Sequence, residues 1–261
     1  MTGVRVGTAW SRSNSPTVGV TVHIPGRTWN NPISPHAFDG LVDHLDLSPA
    51  ALVLDVGCGA GEALRRVLDR WGCRGVGVDP DLDEINEARR RLAPHGERVR
   101  LEARRIDALT LEEPIDVGIC IGASHAFGGP GQAYRPMLRD LRRRLRSSGR
   151  LLVGEGYWRQ PPAPAYLAAT GLESCELVSH AENVRIAESE GLVLHAAIAS
   201  SPEAWDAFES TSWNHWEARL AESPDDEELR ARVARNRAWR RAYIAWGRDT
   251  FGFALYVFGL A

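Results

Sequence analysis

The stretch Leu54-Asp-Val-Gly-Cys-Gly-Ala-Gly-Glu62 concentrates residues whose types and spacing can do chemistry. Gly57, Gly59 and Gly61 end an apolar run and open a helical one. Glycine there permits positive φ and lets a ligand lie against bare backbone. A dinucleotide site uses a related spacing, G-x-G-x-x-G, and a tight βα turn can also be ligand-free. Here the spacing is G-x-G-x-G, and an acid, Asp55, stands inside the strand just ahead of it. A phosphate-binding turn relies on backbone amides and is opposed by a nearby carboxylate, whereas a cationic ligand is favoured by one.

A second acid points the same way. Asp79 ends the apolar run Gly75-Val-Gly-Val-Asp79, about 20 residues after the loop, where a carboxylate can accept both ribose hydroxyls of an adenosine ligand. Asp79 also suits a helix N-cap, and nicotinamide cofactors use an acid in this place too. Asp107, in Arg105-Ile-Asp-Ala108, is placed either to accept from an adenine amine, with the Ala108 amide facing the ring, or to stand in solvent as a loop acid. S-adenosylmethionine carries an ammonium, a sulfonium and an adenosine but no phosphate, and so matches this set. The expected cofactor-binding residues are Asp55, Gly57, Gly59, Gly61, Asp79, Pro80, Asp107, Ala108 and Ile121.

These residues need a frame that brings them to one rim. From Ser34 onward helical and strand-like periods alternate. Ser34-Pro35 reads as an N-cap and first helical proline ahead of Phe38, Leu41, Val42 and Leu45. Strands are expected at Leu52–Val56, Gly75–Asp79, Val99–Ala103, Asp116–Ile121 and Arg150–Glu155, with helices at Glu62–Arg70, Asp83–Leu92 and Gln132–Leu145. Such alternation predicts an α/β fold of βαβ units on a mostly parallel sheet, with ligands outside the carboxyl ends of the strands. Beyond Gly156 a helix is expected at Asn183–Gly191 and strands at Leu192–Ser200 and Phe251–Phe258. Between those two strands the helical stretch Pro202–Asp249 carries five of the nine tryptophans. The division expected is a leader or lid over 1–32, a main domain over 33–201 and 250–261, and a helical cap insertion over 202–249. Within the first segment, Thr17–Ile24 alternates like a short strand.

Composition narrows the function classes. A chain of 261 residues with a net charge of −3 has no bulk electrostatic drive toward nucleic acid or anionic membrane. No apolar run approaches the roughly 20 residues needed to span a bilayer, and the N-terminus lacks a basic-then-apolar signal pattern. Every basic side chain is Arg, which excludes a lysine base or Schiff base. Cys58, Cys73, Cys120 and Cys175 form no CxxC pair and no metal spacing. The expectation is a cytoplasmic bacterial protein with buried free thiols and no metal, as monomer or homodimer. The Arg-rich stretch Arg230–Arg241 follows the acidic run Asp225–Glu228, and its arginines do not share one helical face. A solvated helix with ion pairs is favoured there over an RNA-binding surface.

Taken together, these motifs resemble those of class I S-adenosylmethionine-dependent methyltransferases. Asp55-x-Gly57-x-Gly59-x-Gly61 is similar to their first motif, Gly77-Val-Asp79 to their second, and Asp107 to their adenine-contact position. Leu145-Arg-Ser-Ser-Gly-Arg-Leu-Leu152 resembles the turn into their fifth strand, with Ser147-Ser148-Gly149 in place of Pro-Gly-Gly. Asn31-Pro-Ile-Ser34, Gly154–Pro162, Trp205–Glu209, Glu222–Asp226 and Gly247–Phe253 resemble small bacterial methyltransferases of the YjhP type. The resemblance implies a seven-stranded Rossmann-like sheet whose last strand inserts antiparallel, with S-adenosylhomocysteine as product.

Methyl transfer from a sulfonium needs an aligned acceptor, excluded water and, for some acceptors, a base. His125, after the fourth strand, is the candidate base; the alternative is a loop histidine bonded to backbone or solvent. Glu155, Tyr157 and Trp158 follow the fifth strand and are placed to wall an acceptor pocket, with Trp213 of the cap and Asn31 of the leader as further substrate-side candidates. The expected acceptor is a small molecule with an oxygen, nitrogen or sulfur nucleophile. An idle S-adenosylmethionine-binding module, an RNA methyltransferase and a nicotinamide oxidoreductase are the alternatives.

Overall fold

The computed structural model describes residues 29–261; the strand expected at Thr17–Ile24, and the leader up to residue 28, lie outside the described residues. Helix α1 (Pro35–Val42) starts as its sequence dictates: the Ser34 hydroxyl accepts the Ala37 N–H, and Phe38, Leu41 and Val42 turn inward. There follow β1 (Leu52–Val56), α2 (Glu62–Trp71), β2 (Arg74–Asp79), α3 (Leu82–Leu92), β3 (Val99–Ala103), β4 (Ile115–Ile121), α4 (Tyr134–Arg144) and β5 (Leu145–Trp158). The chain then forms α5 (Pro164–Thr170), α6 (His180–Ser189), β6 (Leu192–Ala199), α7 (Pro202–Glu222), α8 (Glu227–Ala242) and β7 (Phe251–Leu260). The seven strands lie in the order β3-β2-β1-β4-β5-β7-β6, with β7 antiparallel to both neighbours. The mostly parallel, doubly covered sheet expected from the alternation is the one observed.

Two apolar layers sandwich the sheet. On one face Leu54, Val56, Leu151 and Val153 pack under Met137, Leu138 and Leu141 of α4 and Ala187 of α6. On the other, Val53, Ile119 and Leu152 meet Phe38 and Leu41 of α1 and Leu64, Val67 and Leu68 of α2. Strands β1 and β4 are buried on both sides, which is why they read as continuous apolar runs.

Several elements differ from the pattern-based expectation in their bounds. Helix α4 begins at Tyr134 rather than Gln132, and α6 begins at His180, where the Ser179 hydroxyl accepts the Glu182 N–H. Strand β5 is much longer than Arg150–Glu155. It starts at Leu145 and continues past Gly154, the residue level with the end of β4, to Trp158 opposite Phe251. A strand paired on only one side carries no distinctive apolar run, so its extension is silent in the sequence.

That extension supports the helices between β6 and β7. Trp158 and Phe251 join Tyr166 and Leu172, Trp205 of α7, and Ala242 and Tyr243 in one buried cluster. Helices α7 and α8 close a second, smaller cluster through Trp216, Leu229 and Val233. Helix α5, which the sequence pattern did not predict, belongs to this body through Tyr166. The Arg-rich face of α8 is paired as a solvated helix would be: Arg237 bonds both oxygens of Glu217 on α7, at 2.8 and 2.6 Å. Arg232 lies over the Trp216 ring at 4.6 Å. No helix among the described residues is long and apolar enough to cross a membrane.

Candidate active site

The glycine turn is held from below. The Gly57 and Cys58 N–H groups both donate to the Val78 carbonyl, at 2.8 and 3.1 Å, and Gly61 N–H donates to Cys58 at 2.9 Å. All three glycines have positive φ, but for different reasons. A Cβ on Gly57 would stand 2.3 Å from Ala123 Cβ, and one on Gly61 would stand 2.8 Å from Leu92 Cδ1. Those two positions are closed by packing. At Gly59 the nearest atom would be Glu84 Oε2 at 3.6 Å, so of the three this glycine alone has room for a Cβ.

Asp79 braces the same turn. Its Oδ2 accepts the Gly59 N–H at 3.1 Å and its Oδ1 accepts the Asp81 N–H at 2.9 Å. The N-cap of α3 is Asp81, not Asp79. Each Asp79 oxygen therefore retains a lone pair for a hydroxyl donor. Pro80 follows on the exposed edge of this turn.

Asp55 is 3 % exposed, and its Oδ2 has no hydrogen-bond partner. Burial, followed by the Asp79 charge, pushes its pKa up to about 7, with a hydrogen bond from the Leu64 backbone opposing. A buried carboxyl with an unused oxygen just ahead of a glycine turn fits a cationic group. Desolvation raises the Asp79 pKa as well.

The remaining predicted residues divide. Ile121 ends β4 half-buried, level with Gly154 of β5. Asp107 is exposed after β3 and pairs with Arg105 at 3.2 Å, while the Ala108 N–H is taken by the Arg105 carbonyl at 3.1 Å. The side chain thus remains accessible, but the expected free Ala108 amide is already bonded. His125 lies in a short 3-10 turn, Ser124–Phe127, on the exposed rim. Desolvation of the ring lowers its pKa and the Asp79 charge works against that, which puts His125 and Asp79 within electrostatic reach.

On the acceptor side the structure separates residues that the sequence grouped. Trp158 is buried and its indole N–H donates to the Ser174 carbonyl at 2.9 Å, inside the helical body. Trp213 packs against Tyr243, with ring centroids 5.7 Å apart. Asn31 is buried beside α1, its Oδ1 accepting the Ile33 N–H at 2.8 Å. Tyr157 is 5 % exposed and lies against His180, in the space left by Gly252, where a Cβ would meet the Tyr157 ring at 2.4 Å.

Glu155 stands apart from these. It is one residue beyond the β4 pairing, and its Oε2 is buried without a hydrogen-bond partner. Burial pushes its pKa up to about 7, against hydrogen bonds from Ser124 and from the Gly156 N–H. Tyr134, at the start of α4, has a buried hydroxyl that is likewise unpartnered. The Glu155 charge bears on Tyr134, Tyr256 and Cys120, and Cys120 also feels Asp55. Asp55 and Glu155 thus flank one buried stretch at the ends of β1, β4 and β5. Sequence reading had named Glu155 as a wall residue. Tyr134 carried no signal, because a tyrosine opening a helix looks like any other first-turn residue.

A methyltransferase-domain family model matches residues 53–149, the span holding the glycine turn, Asp79, Asp107 and His125. YjhP of Escherichia coli (strain K12) is 30 % identical over 234 residues, covering 87 % of this chain and 92 % of that protein. The chain belongs to the class I S-adenosylmethionine-dependent methyltransferases, in the YjhP group. The solved structure of Escherichia coli YjhP superposes on this methyltransferase with a TM-score of 0.79 at 26 % identity, covering 90 % of this chain and 96 % of that one. A methyltransferase from Geobacter sulfurreducens, crystallised with S-adenosylhomocysteine, shares the fold with a TM-score of 0.80 at 24 % identity, covering 90 % and 95 %.

Proposed function

We propose that this methyltransferase transfers a methyl group from S-adenosylmethionine to an oxygen, nitrogen or sulfur nucleophile of a small molecule. The observation that carries the cofactor assignment is the unpartnered, buried Oδ2 of Asp55, two residues ahead of the glycine turn. The residues present fit the group: Asp55 for a cationic amino group, Asp79 for ribose hydroxyls and Asp107 for the adenine amine, with Pro80 and Ile121 as further contacts, while the Ala108 amide is already bonded. When bound, S-adenosylmethionine supplies a methyl carbon already activated by its sulfonium. The chain's own contribution is to hold and align the reactants and to exclude water. Asp55 compensates positive charge from a dry site, where such compensation is strong. His125, drawn toward its neutral form, offers an imidazole acceptor at the rim.

The acceptor's small size is supported by the helical body built on the β5–β7 extension, which stands at the carboxyl end of the sheet. In this reading α5, α7 and α8, with Trp213, restrict the entrance, and the buried Asn31 holds the chain leading into α1. Among the described residues no group of three or more metal-ligating side chains gathers, and turnover is expected to be indifferent to chelators. Calorimetry of the full chain with S-adenosylmethionine and S-adenosylhomocysteine tests the cofactor assignment. Binding of both to the wild type, weakened more than tenfold in Asp55→Asn, is the expected result; wild-type protein that binds neither would refute it.

A further inference from the structure

Glu155 is the one buried carboxyl besides Asp55 with an oxygen that no donor reaches among the described residues. Its surroundings give a task to Oε1 but none to Oε2. The Oε1 accepts the Gly156 N–H at 3.3 Å, a long contact, while the Oε2 has no bond. A glutamate kept only for packing would be replaced at lower cost by an apolar side chain, because an unsatisfied buried carboxyl is destabilising.

Its neighbours reinforce the point. Tyr134 adds a second buried and unpartnered polar atom from α4. Tyr256 of β7 lies behind, bonded to His180 Nδ1 at 2.8 Å. Asn183 of α6 ties that hydroxyl to the Gly156 carbonyl, at 3.5 and 3.2 Å. The back of the site is therefore fixed, and the free valences of Glu155 and Tyr134 remain. Cys120 of β4 is a further titratable group here, its thiol pushed up by burial and then by the Glu155 and Asp55 charges. Ser124, preceding His125, opposes the rise in the Glu155 pKa, which sets this carboxyl near the rim loop.

We infer that Glu155 is the catalytic base of the acceptor subsite and that Tyr134 is the hydroxyl that orients the acceptor against it. The inference rests on the methyl-transfer reading above and adds the group that receives the proton. The acceptor carries an O–H, N–H or S–H. Its lone pair forms the new bond to the methyl carbon as the carbon–sulfur bond of the donor breaks, and that electron pair returns to sulfur, giving S-adenosylhomocysteine. The acceptor's proton passes to Oε2 of Glu155. The substrate class is thus a neutral, protic nucleophile, since an acceptor already ionised or lacking a proton would need no base here.

Two measurements on the full chain test this, one of them without any acceptor. Affinities for S-adenosylmethionine and S-adenosylhomocysteine are measured from pH 5.5 to 8.5 in wild type, Glu155→Gln, Tyr134→Phe and His125→Asn. The two ligands differ by a methyl group and a sulfonium charge, so their affinity ratio reports ionisation beside the reacting sulfur. In wild type the ratio is expected to favour S-adenosylmethionine increasingly as pH rises through about 7. In Glu155→Gln that rise should vanish while S-adenosylhomocysteine affinity stays within about twofold. A ratio that titrates unchanged in Glu155→Gln, or is flattened only by His125→Asn, would overturn the assignment.

The second measurement follows S-adenosylhomocysteine formation with catechol, glycine and dithiothreitol as protic probes. For any probe that turns over, Glu155→Gln should lower the rate about 10²-fold or more, and Tyr134→Phe should mainly raise KM. Full activity in a folded Glu155→Gln would also overturn it. Failure of the wild type to bind either ligand would instead refute the methyl-transfer reading.

Discussion

At the scale of single residues, the three turn glycines are not equivalent, and their substitution should separate folding from binding. Gly57→Ala places a Cβ 2.3 Å from Ala123 Cβ on a backbone already at φ +69°, so it should destabilise the fold by about 2–3 kcal/mol and lower Tm. Gly59→Ala meets nothing closer than 3.6 Å. It should therefore cost only about 1–2 kcal/mol of backbone strain while weakening S-adenosylmethionine binding more than tenfold. Thermal melts and calorimetry on the two variants check this; equal binding losses at matched stability would remove the distinction. Asp79→Ala removes the acceptor of the Gly59 N–H as well as the expected ribose contacts. It should weaken cofactor binding by about 1.5–3 kcal/mol, and unchanged affinity in a folded variant would exclude Asp79 from the site.

At the scale of elements, the extension of β5 is the feature that makes a second layer possible. The last four residues of that strand, from Glu155 to Trp158, pair with β7 beyond the end of β4. Their alternation puts Glu155 and Tyr157 toward the α4 and α6 side, while Trp158 turns into the cluster with Tyr166, Trp205 and Phe251. Trp158→Ala should cost about 3–5 kcal/mol from the cavity it leaves. Because the loss falls between the helical body and the sheet, proteolysis in α7–α8 should increase before the sheet unfolds. Limited digestion followed by mass spectrometry is the check, and a variant cleaved no faster than wild type would show that the helices do not depend on this anchor.

At the scale of the whole molecule, Asp55 and Glu155 couple stability to pH. Both have pKa values raised in the folded protein to about 7, far above the ordinary carboxyl values of 3.8 and 4.5. The folded state therefore holds more protons than the unfolded state between those limits. The stability linked to these protons is complete below about pH 4 and is lost as pH rises through about 7. The ligand-free protein should accordingly melt lower at pH 8 than at pH 6, and Asp55→Asn should shrink that difference. S-adenosylmethionine should raise Tm more at pH 8 than at pH 6, since it compensates the ionised carboxylates. Melting curves at the two pH values, with and without ligand, test the sign directly.

How much of this was legible beforehand depends on the range of the signal. The glycine spacing, Asp55 and Asp79 are local in sequence, and the alternation of apolar runs with helical periods is local too; together they determined the sheet, its order of strands and helices, and the family resemblance. The ion-paired character of the arginine-rich α8 was readable from the acidic run Asp225–Glu228 beside it, but its pairing with Glu217 of α7 was not. What only the tertiary structure decided is which side chains have spare valences. Trp158 and Tyr157 are both expected as pocket walls; the one donates to the Ser174 carbonyl and the other packs against His180. The Glu155 charge reaches Tyr134 because α4 packs on the face of the sheet toward which Glu155 of β5 turns, a placement that no local pattern encodes. Burial and unmet hydrogen bonding are properties of a residue's complete surroundings, so the three-dimensional packing had to be known before either group could be singled out.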